Sequence, residues 1–192
     1  MEFKSHITAT LAIGAPLIVA SGETSLINLG ALAVGSLLPD IDHPDSYFGR
    51  RHKVISNVTT RTLGHRGATH SLLGLAACYL LFLFLQKLYL SAELHWLPFW
   101  LAAGYLAHLI EDSFSARGIQ WLWPLKLSKK TKKFFFYNTG GISEYLLLGF
   151  FLCLLVMEIY LYASGKYTNI ISPESMFKLK QAIRTFQTAI YF

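Results

Sequence analysis

The chain has few charged side chains for its length. Asp, Glu, Lys and Arg make up only 15% of its 192 residues, while hydrophobic residues make up 53%. A soluble domain usually carries about 25% charged residues, so this sequence lacks the polar surface that keeps a globular protein in water. That shortage argues against a soluble enzyme, a disordered chain and a small disulfide scaffold. The composition indicates an all-α, multi-pass membrane protein.

Cysteine and several familiar motifs are also scarce. The two cysteines, Cys78 and Cys153, lie within apolar runs and are interpreted as packing or lipid-facing residues. The sequence contains no Gly-x-Ser-x-Gly elbow and no Gly-x-x-x-x-Gly-Lys-Ser/Thr phosphate loop. The net charge is +6, but the basic residues follow no recognisable nucleic-acid motif. We therefore expect no nucleic acid partner.

Long apolar runs are the dominant feature of the sequence. A helix that crosses the hydrocarbon needs about 20 apolar residues, with a range of about 17–25. The third and fifth runs reach this length, while the other three are short enough to form buried or interfacial helices instead. We predict a membrane helix bundle over 1–163 with three to five helices, five being favoured, followed by a tail over 164–192. The runs are Ile7–Ala20, Leu26–Leu38, Leu72–Leu90, Trp96–Ile110 and Tyr145–Ala163.

The tail has a helical pattern of its own. Ser172 suits an N-cap and Pro173 suits the first helical position. Apolar residues then recur at helical spacing, flanked by basic side chains. An amphipathic helix on the membrane surface fits this pattern, and a helix packed against the bundle fits it equally well. The recurring apolar residues are Leu179, Ile183, Phe186 and Ile190.

Basic residues are concentrated in the two long loops. The short turns 21–25 and 91–95 contain no Lys or Arg, whereas the loops 39–70 and 111–143 contain many. If all five runs cross the membrane, both long loops and the N-terminus lie on one side. Because Lys and Arg concentrate in cytoplasmic loops, that side is predicted to be cytoplasmic. The basic residues of the tail would then lie on the other side, against this bias.

Histidines and aspartates collect at the ends of the apolar runs that face this same side. His108 and Asp112 are four residues apart and share one helix face. Asp40 and Asp42 are two apart, and carboxylates this close repel each other unless a cation or a proton intervenes. Imidazole and carboxylate ligands together suit zinc, manganese or iron, of which we favour zinc. The converging residues are His6, Asp40, Asp42, His43, His65, His70, His108 and Asp112.

Three residues are candidates for catalysis at such a site. Arg66 lies between two glycines and could bind a phosphate or carboxylate through two hydrogen bonds. Contact with lipid headgroups accounts for an arginine at this position equally well. Asp40 or Asp112, whichever is not a metal ligand, would serve as a general base.

Four stretches give the chain its resemblance to a known family. They are 38–44 (LPDIDHP), 64–71 (GHRGATHS), 104–108 (GYLAH) with Asp112, and 118–125 (GIQWLWPL). With these motifs the chain resembles the YdjM-like proteins of the bacterial inner membrane, which are described as membrane-bound metal-dependent hydrolases. Some members are regulated by the SOS repressor LexA. Members often have Thr-Pro after the position of Asp112, where this chain has Ser113-Phe114.

The resemblance implies a location, a chemistry and a set of ligands. The location is the bacterial inner membrane, and the chemistry is metal-dependent hydrolysis. Metal-ligand roles would fall on His6, Asp40, Asp42, His65, His70, His108 and Asp112.

Three functions are consistent with these features. The first is a hydrolase that acts at the membrane face on a lipid-linked or phosphoester substrate delivered by the bilayer. The second is a protein that transports or senses a metal ion without hydrolysis. Transporters usually place polar ligands near the bilayer midplane, which favours the enzyme, but Pro16 and the short first two runs keep transport open. In the third, the polar cluster only stabilises helix ends.

Overall fold

The fold is all-α, as the sequence predicts. The computed structural model describes residues 1–42, 67–89, 94–116, 118–125 and 137–166 and the isolated tail positions 174, 177–178, 180–182 and 185, but not the side chain of Asp42. No strand occurs within these ranges. The elements are α1 (Phe3–Ser21), α2 (Leu26–Gly35), a 3-10 helix (Leu38–Asp42), α3 (Leu72–Tyr89), α4 (Leu97–Ser113) and α5 (Ile142–Ala163).

A tight turn joins α1 to α2. Gly22 ends α1 with a φ of 79°, a left-handed conformation that glycine adopts at little steric cost. The Ser25 side chain then caps α2 by accepting a hydrogen bond from the Asn28 N–H at 3.0 Å. The turn sends α2 back along α1 towards the end of the bundle where α1 begins.

The second apolar run is shorter as a helix than the sequence pattern indicates. The run extends to Leu38, whereas α2 ends at Gly35 and a 3-10 helix begins at Leu38. Pro39 has no N–H for an α-helical hydrogen bond and disfavours the α conformation of the residue before it. The hydropathy of the sequence does not reveal the change from α-helix to 3-10 helix, because Leu37 and Leu38 are apolar in either conformation.

Within the part of the chain that the structure describes, three helices are long and apolar enough to cross a membrane: α1, α3 and α5. This number lies within the predicted range of three to five. Helix α2 has ten residues and so rises about 15 Å, roughly half of the 30 Å hydrocarbon core. Only 6% of the apolar window of α3 and none of that of α5 is buried within the protein. Both helices therefore leave most of their apolar surface exposed and available to lipid, while α2 and α4 bury one face against each other.

Glycines allow α2 and α4 to approach closely. A Cβ added to Gly35 would overlap the Leu101 carbonyl, and one added to Gly104 would overlap the Leu32 carbonyl. Small residues permit such backbone contact between membrane helices. A buried apolar cluster that includes Trp100 packs around the crossing of α2 and α4. It also brings the end of α2 against the C-terminal half of α4.

Helices α1 and α5 begin at the same end of the bundle. Glu144, in the first turn of α5, is buried and accepts hydrogen bonds from the backbone N–H groups of Glu2 at 2.5 Å and Gly140 at 2.8 Å. The side chain of Lys180, in the tail, lies beside Gly22 at the opposite end. We call the end that holds Glu144 the site end, because the polar cluster described next lies there.

Candidate metal centre

Five of the predicted site residues meet at the site end. His6 comes from the first turns of α1, Asp40 from the 3-10 helix and His70 from the residues just before α3, while His108 and Asp112 come from the last turns of α4. His6, His70, His108 and Asp112 are at most 1% exposed. The Asp40 side chain is 23% exposed, so the cluster opens to the outside on the side of Asp40.

The donor atoms are spaced like ligands around one ion. The Nε2 atom of His70 lies 3.4 Å from Asp40 Oδ1 and 3.7 Å from Asp112 Oδ2. The Nε2 atom of His108 lies 3.7 Å and 3.9 Å from the same two oxygens. Ligands in tetrahedral contact with zinc, at bonds of about 2.0–2.1 Å, are separated by about 3.3–3.4 Å. A small contraction would bring these atoms to coordination distance.

The protonation of His108 follows from its hydrogen bond. Its Nδ1 lies 2.7 Å from the Ser36 carbonyl oxygen, and because a carbonyl only accepts, Nδ1 must carry the hydrogen. In the neutral ring Nε2 then presents a lone pair. That lone pair faces the Nε2 of His70 at 3.4 Å and the two aspartates.

His6 supplies the clearest test of whether a cation fits. Its Nδ1 lies 2.5 Å from Glu111 Oε2, and its ring stacks on that of His108 with centroids 3.8 Å apart. Its Nε2 is buried and has no hydrogen-bond partner among the described residues; it lies 3.5 Å from Asp112 Oδ1. When Nδ1 carries the hydrogen, the Nε2 lone pair faces a carboxylate inside the protein, and this contact is repulsive unless a cation or a proton lies between them. The donor set therefore fits a divalent ion.

The arrangement favours a single ion over two. Two groups have donor atoms within 4.8 Å of one another: His6, Asp40 and His108, and His70, His108 and Asp112. Both groups need the Nε2 of His108, and its Nδ1 is already bonded to Ser36. One imidazole nitrogen binds one ion, so the described residues offer overlapping positions for the same ion.

Polar neighbours surround Asp112 on its other side. The Tyr137 hydroxyl donates to the Glu111 carbonyl at 2.9 Å and lies 3.4 Å from Asp112 Oδ1. The α-amino group of Met1 lies 2.9 Å from the same oxygen. Burial, reinforced by the Asp112 and Glu111 carboxylates, raises the pKa of Tyr137. Tyr137 is therefore a hydrogen-bond donor at the site and not a base.

Asp40 is held in its ionised form. Burial alone would raise its pKa, but the hydrogen bond with His70 and the electrostatic influence of His108 and His6 outweigh that effect and lower the pKa below its usual value. The carboxylate therefore contributes a full negative charge at the open side of the cluster.

Some predicted residues are not placed by the structure. His43, His65 and Arg66 lie outside the described residues, and Asp42 is placed only by its backbone in the 3-10 helix. Their roles as ligands or as an anion clamp stay predictions.

Glu111, Thr10 and the Ser36 carbonyl belong to the site but were not among its predicted residues. A helical-spacing search would have found the first two. Glu111 is three residues after His108 and Thr10 is four after His6, so each shares a helix face with a histidine. No sequence pattern indicates the Ser36 carbonyl, because it reaches His108 through the close crossing of α2 and α4.

The fold and the cluster define a class: a multi-pass helical membrane protein with a buried histidine–carboxylate cluster at one end of its bundle. Comparison with known proteins identifies the family within this class. Residues 1–170 match the family described as YdjM inner membrane protein, and the chain belongs to that family. Its apolar helices and its relatives' names support a location in the bacterial inner membrane.

Individual relatives agree with this assignment. The inner membrane protein YdjM of Escherichia coli (strain K12) is 41% identical over 95 residues, which is 47% of this chain and 45% of YdjM; the YdjM of Shigella flexneri matches to the same extent. The match thus spans less than half the length of either YdjM. The uncharacterized protein YvsG of Bacillus subtilis (strain 168) is 31% identical over 148 residues, covering 77% of this chain and 88% of YvsG. No solved structure matches the chain.

Proposed function

We propose that the protein is a metal-dependent hydrolase that acts at the membrane face. One observation carries the proposal: the buried Nε2 of His6, without a hydrogen-bond partner among the described residues, is directed at a cluster of imidazoles and carboxylates. Building such a group into a membrane protein is costly, and groups of this kind are usually functional. Bound there, a zinc, manganese or iron ion would polarise a phosphoryl or acyl oxygen and make a water more acidic.

We assign distinct roles to the five residues. His6, His70, His108 and Asp112 are the buried donors that would hold the ion. Asp40 is the partly exposed member, so it can meet both water and substrate. It would orient the attacking water and accept its proton. Arg66, predicted from the sequence alone, would bind the anionic group of the substrate.

The position of the cluster suggests the class of substrate. The ligands lie at the ends of helices whose outer surfaces are apolar and exposed. An amphiphilic molecule held in the bilayer reaches such a site by moving along the interface. We therefore propose a lipid-linked substrate with a phosphoester at the headgroup, and a site end that faces the cytoplasm.

The test uses purified protein in nanodiscs, loaded in turn with zinc, manganese and iron. Each preparation is incubated with a panel of lipid phosphomonoesters and phosphodiesters, and the water-soluble product is measured. Metal-dependent release above that of empty nanodiscs is the expected result. No release with any metal would contradict the hydrolase proposal, and metal uptake into proteoliposomes would then favour transport.

A further inference from the structure

Glu111 links the candidate metal centre to the body of the bundle. Its side chain is buried, and each carboxylate oxygen has a partner on α1. Oε2 lies 2.5 Å from His6 Nδ1, and Oε1 accepts a hydrogen bond from the Thr10 hydroxyl at 2.9 Å. The carboxylate is thus held by two residues one helical turn apart on the same face of α1.

We propose that Glu111 is a positioning residue that fixes His6 in the tautomer with hydrogen on Nδ1, so that its Nε2 lone pair points at the ion. This inference rests on the proposed metal centre. Histidines that bind metals usually donate their other N–H to a carboxylate or carbonyl, which sets the tautomer and the ring orientation. For His108 the Ser36 carbonyl does this, and for His6 the ionised Glu111 carboxylate would accept in the same way.

The competing explanation is that Glu111 only joins α1 to α4. Glu144 provides a matched comparison, because it is a buried carboxylate at the same end of the bundle that joins α1 to α5. It accepts hydrogen bonds from backbone N–H groups of Glu2 and Gly140. Removing charge at Glu144 therefore tests helix joining without changing the acceptor of His6.

The experiment reads the tautomer of His6 in metal-free protein. Full-length protein with ¹⁵N-labelled histidine is placed in nanodiscs, and His6→Gln identifies the signal of the ring. Wild type and Glu111→Gln, which keeps an acceptor oxygen, should show hydrogen on Nδ1. Glu111→Leu should shift the ring towards hydrogen on Nε2. Zinc affinity, measured by competition with a chelator, should fall about 10- to 100-fold in Glu111→Leu and stay unchanged in Glu144→Gln.

Opposite outcomes overturn the inference. It fails if Glu111→Leu keeps the wild-type tautomer and zinc affinity, or if Glu144→Gln weakens zinc binding as much. If Glu111→Leu does not fold, Thr10→Val takes its place, because it removes only the hydroxyl that holds the carboxylate. Zinc binding several-fold weaker then supports the inference, and unchanged binding counts against it. If wild type binds no zinc, the proposed function is contradicted, while the tautomer comparison still decides the role of Glu111.

Discussion

The chemistry of the site depends on which nitrogen each histidine turns towards the cluster. In His6 and His108, Nδ1 is engaged by the Glu111 carboxylate and the Ser36 carbonyl, and in His70 it contacts the Thr69 hydroxyl at 3.1 Å. All three rings therefore direct Nε2 at the carboxylates of Asp40 and Asp112. Repeating this orientation in three separate segments is what a shared cation requires.

The two aspartates should respond differently to the same change. Asp112→Asn is expected to abolish stoichiometric metal, because it neutralises a buried ligand. Asp40→Asn should retain the ion but lower hydrolysis by about 100- to 10,000-fold, the usual contribution of a general base. Metal analysis and product release on the same samples check this. Wild-type turnover in Asp40→Asn would contradict the role assigned to Asp40.

For single residues, the sequence predicts which side chains meet but not which hydrogen bonds orient them. His6, Asp40, His70, His108 and Asp112 all lie at run boundaries, and the boundaries follow from hydropathy. The sequence does not predict the role proposed for Glu111, because a second carboxylate beside Asp112 is equally consistent with a solvated helix end. Its role becomes visible only when its distances to α1 are known.

At the scale of elements, the crossing of α2 and α4 controls the site. Gly35 and Gly104 bring the two backbones into contact, and that contact delivers the Ser36 carbonyl to His108. The sequence shows two apolar runs containing glycines, but it does not show which glycines face each other. Neither does it show that α2 ends at Gly35, because the apolar run continues into the 3-10 helix.

Substitution of Gly104 tests this crossing. A methyl group there would overlap the Leu32 carbonyl, so Gly104→Ala should lower the free energy of unfolding by about 1–3 kcal/mol and weaken metal binding. Gly149→Ala on α5 is the control, because an added Cβ meets nothing within 4 Å; it should be neutral or stabilising by up to about 1 kcal/mol. Thermal unfolding in detergent compares the two. Equal stability of both variants would rule out a tight crossing.

At the scale of the whole molecule, α1, α3 and α5 all begin at the site end, and α2 and α4 return to it. The segments 39–70 and 111–143, which connect these helices in the sequence, contain the Lys and Arg excess. Because Lys and Arg concentrate in cytoplasmic loops, this distribution predicts that the candidate metal centre faces the cytoplasm. The family match agrees with an inner-membrane location.

Cysteine labelling in intact cells tests this orientation. With Cys78 and Cys153 replaced by alanine, single cysteines are introduced at Thr139, exposed at the site end, and at Thr24, exposed at the other end. A membrane-impermeant maleimide should label Thr24→Cys in intact cells and Thr139→Cys only after lysis. The reverse pattern would place the metal centre outside the cytoplasm.

Metal content per chain shows whether the cluster of histidines and aspartates binds an ion. Gently purified wild type is analysed by elemental analysis beside the double variant His108→Ala, Asp112→Ala. The control is His95→Ala, which changes the histidine just before α4 at the other end of the bundle. We expect about one equivalent of zinc, manganese or iron in wild type and in the control, and none in the double variant. No stoichiometric metal in wild type after reloading, or equal metal in the double variant, would contradict the proposed metal centre.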